Sequence, residues 1–249
     1  MKDIKYTTQN EKKVISAMQE KLDVAPNGII GMNTLSSLAF MVGADVPLPV
    51  TLELYGQPTI IGDDLIAWSP KTSLKGYANS MLGSFTYPRA TTPCSILVNN
   101  GVCVCGTSCH AHLNKPESVI YRLNNGAIGI KRAKTINDLP NNIKWAVGGM
   151  GLLDMYNPSA EGFEGQYADV LRQTNHNVLG VKNGKVYGVY FKDKTASQIN
   201  TMCKKNFHFD MAILLDGGGL AAINGTEPFA KINVNAKQGY AIQFVGDGK

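Results

Sequence analysis

The stretch MAILLDGGGLAAIN, residues 211–224, carries the strongest structural signal in the chain. Its five consecutive apolar residues, 211–215, predict a short strand buried on both faces, because a half-exposed strand alternates apolar and polar residues. The strand ends at Asp216, and three glycines follow. Adjacent glycines are typical of a tight turn, or of a turn where a ligand closely approaches backbone N–H groups. The stretch therefore predicts a carboxylate at the end of a buried strand, beside either a plain turn or a ligand site.

Composition limits the class of protein. The 249 residues are 44% hydrophobic and 17% charged, which is typical of a globular chain. The formal net charge of +5 comes without a dense Lys/Arg tract. This argues against a nucleic-acid partner and suits an anionic substrate or an anionic wall polymer.

Hydropathy predicts neither a membrane span nor a secretory signal. No segment approaches about 18 uninterrupted apolar residues. The start of the chain, MKDIKYTTQNEKK, lacks the apolar core of a signal peptide. We therefore expect synthesis in the cytoplasm without a recognisable signal peptide.

Residues 12–42 predict two short helices around a turn, because apolar residues recur at helical spacing on both sides of the breaker DVAPNGIIG. This segment resembles the short, three-helix type of peptidoglycan-binding domain. The resemblance is carried by an apolar residue with a Gln-x-x-Leu helix, an Asn-Gly-x-x-Gly turn and a Thr that opens the next helix: Val14, Gln19, Leu22, Asn27, Gly28, Gly31, Thr34, Leu35 and Leu38. It implies a wall-binding module over residues 1–43, with peptidoglycan or a wall glycopolymer as partner. A helical hairpin without a ligand stays open as the alternative.

Residues 44–50, ADVPLPV, predict an extended linker because two prolines lie close together. Beyond it, short apolar runs are separated by Asn-Gly turns, which favour β-hairpins. These turns are at residues 99–101, 124–126, 183–184 and 224–225. The clearest helix is residues 195–206. We predict an α+β domain over residues 51–249, with a mixed, largely antiparallel sheet and few helices.

The order strand, hairpin, helix, strand and Asp-Gly-Gly-Gly makes residues 176–223 resemble the phosphodiester glycosidase family. That family includes the uncovering enzyme, which removes N-acetylglucosamine from its 1-phosphodiester. The matching residues are Gly180, Leu215, Asp216, Gly217, Gly218 and Gly219. The chain departs from the family pattern at His176-Asn177, where the family has Arg-Thr, and at Leu220, where it has Ser. The early family motif, an Asn before paired aromatics, is distorted in LGSFTY, residues 82–87.

The resemblance implies a hydrolase that needs no cofactor and acts on an anionic sugar phosphate. In a sugar phosphodiester the leaving group is already a phosphate monoester anion, so the reaction depends little on a strong general acid. The reaction needs backbone N–H groups and a histidine or arginine that bind the negative charge. Asp216 and His176 are the predicted catalytic residues, with Asp216 as base, nucleophile or ligand of a sugar hydroxyl. The predicted substrate-binding residues are Gly217, Gly218, Gly219, Asn177, Arg172 and Thr174.

Two other clusters carry alternative predictions. Thiolate and imidazole ligands suit zinc, and five such residues lie close together: Cys103, Cys105, Cys109, His110 and His112. Buried free cysteines, or a disulfide outside the cell, are the alternatives to a zinc site. Glu161 and Glu164 flank glycines and are either a carboxylate pair or part of a solvated loop.

Together these features predict a bacterial or phage glycosidase directed to the cell wall. It would hydrolyse a sugar-1-phosphodiester while the N-terminal module tethers it, either in place or after release by lysis. Two alternatives stay open: a non-catalytic binder of a phosphorylated sugar or nucleotide on the same fold, and a zinc-dependent hydrolase.

Overall fold

The computed structural model describes residues 4–5, 9–21, 29–30, 58–62, 64–68, 73–83, 93–225, 231–236 and 240–246. These residues form three β-sheets with few helices. The helix-poor, largely antiparallel architecture predicted from the sequence is confirmed. The predicted mixed character is not found among the described strands, since each of their ladders is antiparallel.

The described strands are, in chain order, β1 Ile4–Lys5, β2 Ile29–Ile30, β3 Pro58–Gly62, β4 Asp64–Trp68, β5 Ser80–Leu82, β6 Leu97–Asn99, β7 Val102–Cys105, β8 Glu117–Leu123, β9 Ile128–Ala133, β10 Ile143–Gly151, β11 Thr174–Lys182, β12 Lys185–Lys194, β13 Met211–Gly217, β14 Ile223–Asn224, β15 Lys231–Ile232 and β16 Ala241–Val245. The α-helices are α1 Gln9–Lys21 and α2 Ala196–Met202. A π-helical turn, Cys203–Phe207, continues α2. The short 3₁₀ segments are Ala111–Leu113, Ile136–Asp138, Leu153–Met155, Ser159–Glu161, Gly165–Leu171 and Gly218–Leu220.

The large sheet has the order β3-β12-β11-β13-β10-β6-β7, and β8 pairs with both β10 and β9. Strand β13 therefore lies inside the sheet, between β11 and β10. The small sheet has the order β15-β14-β5-β16-β4.

The two faces of β13 pack against different layers. Ile213 and Leu215 belong to an apolar cluster shared with Met81 and Phe244 of the small sheet. Ala212 and Leu214 belong to a second cluster that includes residues of α2 and the π-helical turn. Alternate residues of a strand point to opposite faces, so the large sheet is the middle of three layers. The prediction of burial on both faces is confirmed for residues 212–215, whereas Met211 at the start of the strand is half-buried.

The Asn-Gly turns behave as predicted at three of the four positions. Asn100 and Gly101 have φ of 46° and 79°, and Asn183 and Gly184 have φ of 52° and 74°. Positive φ at both central residues is the geometry of a type I′ hairpin turn, which asparagine and glycine tolerate. The Asn-Gly at residues 124–126 joins β8 to β9.

The fourth Asn-Gly prediction is wrong about the turn. Asn224 lies within β14 and pairs with Lys231 of β15, so residues 225–230 separate the two strands. The hairpin exists, but its connection is longer than a two-residue turn. Asn224 instead uses its side-chain amide to donate to the Leu74 and Tyr77 carbonyls, at 2.8 and 2.9 Å. Those bonds hold it in the strand.

Helix α2 begins with a capping box. The Thr195 hydroxyl accepts a hydrogen bond from the Gln198 backbone N–H, and the Gln198 side chain accepts one from the Thr195 N–H. Two N–H groups without helical partners are thus satisfied. The predicted helix over residues 195–206 is present, with its second half in the π-helical turn.

The N-terminal segment is described in part. Helix α1 confirms the first predicted helix, with Ile15 and Gln19 buried. Val14, one of the apolar positions of the resemblance, is 70% exposed. Residues 29–30, which the sequence placed in a turn, pair with β1.

The second predicted helix of this segment, Gly28, Gly31, Thr34 and the predicted linker at residues 44–50 lie outside the described residues. No helix in the described part of the chain is long and apolar enough to cross a membrane.

Candidate functional site

The candidate site lies where β13 meets β10. Strand β10 pairs with β6 through residues 146–147 and with β13 through residues 150–151. This junction contains the glycines of the sequence Gly148-Gly149-Met150-Gly151. A Cβ on Gly149 would lie 2.5 Å from the Leu214 carbonyl oxygen. Glycine in a strand interior often marks such a close approach, so these glycines serve packing at the junction.

Asp216 is half-buried at the C-terminal end of β13. Its Oδ1 accepts a hydrogen bond from the Gly217 backbone N–H at 2.8 Å. The carboxylate is close enough to Cys109 for its charge to help raise the pKa of that thiol. Asp216 therefore has one oxygen held by the backbone and remains accessible at the start of the glycine turn.

The glycine turn has the space that a ligand needs. Gly218 has a φ of +64°, a conformation that glycine adopts without strain. A Cβ at Gly218 would lie 3.9 Å from Arg172 Nη2 and 4.0 Å from Thr174 Oγ1, and one at Gly219 would meet nothing within 4 Å. The fold thus brings the predicted Arg172 and Thr174 to the outer side of the turn.

Arg172 is exposed and only loosely paired. Its side chain is 62% exposed, and its guanidinium lies 4.0 Å from the Asp169 carboxylate. An exposed ion pair at this distance contributes little to stability. The guanidinium can therefore turn toward an anion at the glycine turn at little cost in folding free energy.

His176 lies under the turn, opposite Gly217 in the ladder between β11 and β13. A Cβ on Gly217 would lie 2.8 Å from His176 Nδ1, so the close approach of ring and backbone requires glycine there. The ring is fully buried, and its Nε2 lies 3.2 Å from the Arg172 carbonyl oxygen. A neutral imidazole with hydrogen on Nε2 fits this contact.

Burial lowers the pKa of His176, and the nearby carbonyls of Arg172 and Lys194 only partly offset that effect. The ring is therefore neutral at pH 7. Its Nδ1 is buried and makes no hydrogen bond with the described residues. A neutral ring supplies no positive charge for a phosphate.

Asn177 points to the opposite face of the sheet. Its side-chain amide donates to the Leu82 carbonyl at 2.7 Å and to the Ala222 carbonyl at 3.1 Å. Both carbonyls belong to chain next to or within the small sheet. Consecutive strand residues face opposite sides, so Asn177 joins the two sheets while His176 faces the glycine turn.

Four of the five zinc-site candidates, all but Cys103, make other contacts with described residues. His110 Nδ1 lies 2.8 Å from the Glu161 carbonyl oxygen, and His112 Nε2 lies 2.9 Å from the Tyr167 hydroxyl. Cys103 is exposed, while Cys105 donates weakly to the Thr107 carbonyl. Within the described ranges, no group of three or more His, Cys, Asp or Glu side chains is arranged to hold a metal ion.

Sequence reasoning missed Glu117, a fully buried carboxyl at the start of β8. It accepts hydrogen bonds from Ser95 Oγ at 2.6 Å, from the Ile96 N–H at 2.5 Å and from the Cys109 N–H at 3.1 Å. It passes over Gly148, where a Cβ would collide with it. Burial raises its pKa to about 8, although the three donors act in the opposite direction. The run of glycines in β10 was the signal that could have pointed to it.

Glu161 and Glu164 do not form a carboxylate pair. Glu161 is fully buried and accepts hydrogen bonds from Ser118 Oγ, the Gly151 N–H and Arg132 Nε. Burial raises its pKa. Glu164 is exposed, with its carboxylate 3.7 Å from Lys115 Nζ. The charge of Glu161 instead acts on Glu117, another buried carboxyl, and helps to raise the pKa of Glu117.

No family model matches the chain, and no curated protein matches it. Among solved structures, the chain is similar to the zebrafish N-acetylglucosamine-1-phosphodiester alpha-N-acetylglucosaminidase catalytic domain, auto-inhibited by its pro-peptide. The TM-score is 0.54 at 12% identity, over 76% of this chain and 74% of that one. A hypothetical protein from Synechocystis matches with a TM-score of 0.47 at 10% identity, over 76% of this chain and 58% of that one. At such low identity, the first likeness shows a shared fold and nothing about activity.

Proposed function

We propose that the domain over residues 51–249 is a hydrolase that cleaves a sugar-1-phosphodiester, such as N-acetylglucosamine linked through phosphate. One observation carries the proposal: a guanidinium, a hydroxyl and an open glycine turn converge beside a half-buried carboxylate. These are Arg172, Thr174, the turn at residues 217–219 and Asp216. The fold shared with the zebrafish catalytic domain supports it.

The chemistry matches this arrangement. Arg172 can donate to two phosphate oxygens at once, which is the geometry guanidinium groups favour. Thr174 supplies a neutral donor, and the turn lets backbone N–H groups approach closely because no side chain covers it. With the phosphate there, Asp216 would face the sugar, where it acts as base or nucleophile at the anomeric carbon or binds a hydroxyl.

His176 would have a supporting role in this reaction. A phosphate monoester leaves as an anion, so its departure does not require full protonation. A neutral His176 fits a reaction that needs no strong acid, and the buried ring supports the turn from beneath Gly217. No metal is part of this proposal, and a chelator should leave turnover unchanged.

The test is phosphorus NMR of the full chain with sugar-1-phosphodiesters. The expected result is a new phosphomonoester signal that Asp216→Asn reduces by a factor of at least about 100, because the variant keeps the shape but loses the charge and the base. No phosphomonoester with any of several such substrates would overturn the proposal.

Gly219→Ala provides a matched test of the turn. The space around Gly219 is open and its φ is not left-handed, so alanine should leave the melting temperature unchanged. If a phosphate approaches this backbone, the added methyl group should weaken binding and raise KM. Unchanged kinetics in a folded Gly219→Ala variant would place the substrate elsewhere.

A non-catalytic binder of a phosphorylated sugar or nucleotide is the second candidate. It is favoured by the hydrogen bonds that Asn177 makes to the small sheet, because that side chain is unavailable to a substrate. Calorimetry with a sugar phosphate separates the two candidates. Binding that Arg172→Ala weakens, without any turnover, would establish the binder.

We further propose that residues 1–43 tether the chain to peptidoglycan or a wall glycopolymer in a bacterial or phage setting. Tethering raises the local concentration of a wall-linked substrate. The Gln-x-x-Leu and Asn-Gly-x-x-Gly sequence pattern supports this proposal. Sedimentation with purified walls tests it. The full chain and its Asp216→Asn variant should co-sediment equally, and a chain without residues 1–43 should stay in solution. Equal sedimentation with and without these residues would refute it.

A further inference from the structure

Cys94 and Cys109 bring their sulfur atoms into contact beside the candidate site. The two Sγ atoms lie 3.4 Å apart. Cys94 is 8% exposed in the segment before β6, and Cys109 is half-buried before the 3₁₀ segment Ala111–Leu113. The other three cysteines have different surroundings: Cys103 and Cys105 lie on the edge strand β7, and Cys203 is buried in the π-helical turn.

We propose that Cys94 and Cys109 are a disulfide-forming pair. The bond would join the chain before β6 to the chain after β7, close to Asp216. The sulfurs need to approach from 3.4 Å to the bond length of about 2.0 Å, a movement of about 1.4 Å. This inference does not depend on the proposed hydrolase activity.

The surroundings fix the two backbone segments that the bond would join. Ser95 Oγ and the Cys109 N–H both donate to the Glu117 carboxyl, at 2.6 and 3.1 Å. The residues next to each sulfur are therefore anchored to the same buried group. The two segments are thus held next to each other before any bond forms.

A small disulfide such as glutathione disulfide can oxidise the two thiols. Glutathione disulfide reacts first with the more exposed Cys109, releasing one glutathione thiol and forming a mixed disulfide. The Cys94 sulfur then attacks the Cys109 sulfur and releases the second glutathione thiol. Two protein thiols are oxidised and one glutathione disulfide is reduced to two thiols.

The reaction should be slow while the protein is folded. The hydrogen bond to Cys94 and burial raise the pKa of Cys109, and the charges of Glu117 and Asp216 add to this effect. Since the thiolate is the reactive form, exchange is held back. The pair thus persists as thiols in a reducing compartment and closes on exposure to an oxidising one.

The experiment uses the full chain with Cys103→Ser and Cys105→Ser, so that Cys94 and Cys109 are the thiols left in one tryptic peptide. Trypsin does not cut between Lys115 and Pro116, so that peptide spans residues 90–122. After equilibration with glutathione disulfide, unfolding and maleimide treatment, the expected peptide is lighter by two hydrogen atoms and carries no maleimide.

Thermal unfolding of the same protein supplies a second readout. The closed loop spans about 15 residues, and its constraint on the unfolded chain should raise the melting temperature by about 6–12 °C. A reducing agent should reverse the shift, and Cys94→Ser or Cys109→Ser should abolish it. Both single variants are made, so that the test can still be carried out if one of them fails to fold.

Two results would overturn the inference. The first is maleimide on both Cys94 and Cys109 after equilibration with excess glutathione disulfide. The second is oxidation of the wild-type chain that links Cys103 or Cys105 and leaves Cys94 and Cys109 as thiols.

Discussion

The most informative perturbation of this fold is Glu117→Gln. Glu117 is fully buried, and burial raises its pKa to about 8 from an ordinary value of 4.5. Glutamine keeps the size and part of the hydrogen bonding but cannot ionise. Comparing the two proteins therefore isolates the ionisation of one buried group.

The direction of the pH effect on stability depends on the pH at which the folded and the unfolded chain each release the Glu117 proton. Below about pH 4.5 both folded and unfolded chains hold it, and the protonated carboxyl makes its full contribution to stability. As the pH rises toward 8, the unfolded chain releases the proton while the folded chain keeps it, so unfolding becomes easier. The stability contribution of Glu117 is therefore lost with rising pH, through the window from about 4.5 to about 8.

The size of the effect follows from the same two values. Each pH unit is worth about 1.4 kcal/mol while the unfolded chain alone is ionised. Between pH 5 and pH 8, the free energy of unfolding of wild type should fall by about 3 kcal/mol relative to Glu117→Gln. The variant also carries a pH-independent loss, because glutamine cannot accept from all three donors.

Urea unfolding at several pH values measures this difference. Glu164→Gln is the matched control, because the Glu164 carboxyl is 58% exposed and pairs only loosely with Lys115. Its curve should run parallel to that of wild type. A difference between wild type and Glu117→Gln that changes by less than about 1 kcal/mol from pH 5 to pH 8 would refute the reasoning.

Three further substitutions test the packing around the site by thermal or urea unfolding. Gly180→Ala should destabilise by about 1–3 kcal/mol, because its Cβ would lie 2.6 Å from the Phe209 ring; an unchanged stability would mean that this contact is looser. Asn177→Leu should cost about 1–3 kcal/mol by removing two buried hydrogen bonds, to the Leu82 and Ala222 carbonyls, and full stability would show that water replaces the amide. Gly217→Ala should displace the His176 ring and lower both stability and any turnover, so wild-type turnover would separate that ring from the reaction.

Much of the sheet could be predicted from local pattern. An uninterrupted apolar run predicted β13, and the structure buries residues 212–215 completely. Asn-Gly pairs predicted hairpin turns, which three of the four positions form. The fourth, at Asn224, failed because buried carbonyls of Leu74 and Tyr77, far away in the chain, hold that side chain within a strand. Turn propensity is a local preference, and tertiary hydrogen bonds can override it.

The candidate site was predictable to a similar degree. Asp216 and the glycine turn stand out in the sequence, and the fold brings Arg172 and Thr174 beside them. The adjacent His176 and Asn177 were grouped in one site, yet strand alternation sends them to opposite faces. Their separation depends on which face of β11 packs against the small sheet.

The sequence by itself determined the buried strand β13, three of the four Asn-Gly turns and the carboxylate at the glycine turn, because these depend on residue type and short-range spacing. Only the tertiary structure decided that Glu117 is buried over Gly148, that Cys94 meets Cys109 and that His176 is neutral. Each of these arises from contacts between segments distant in the chain. Desolvation and sulfur contact depend on that three-dimensional neighbourhood, which residue spacing does not specify.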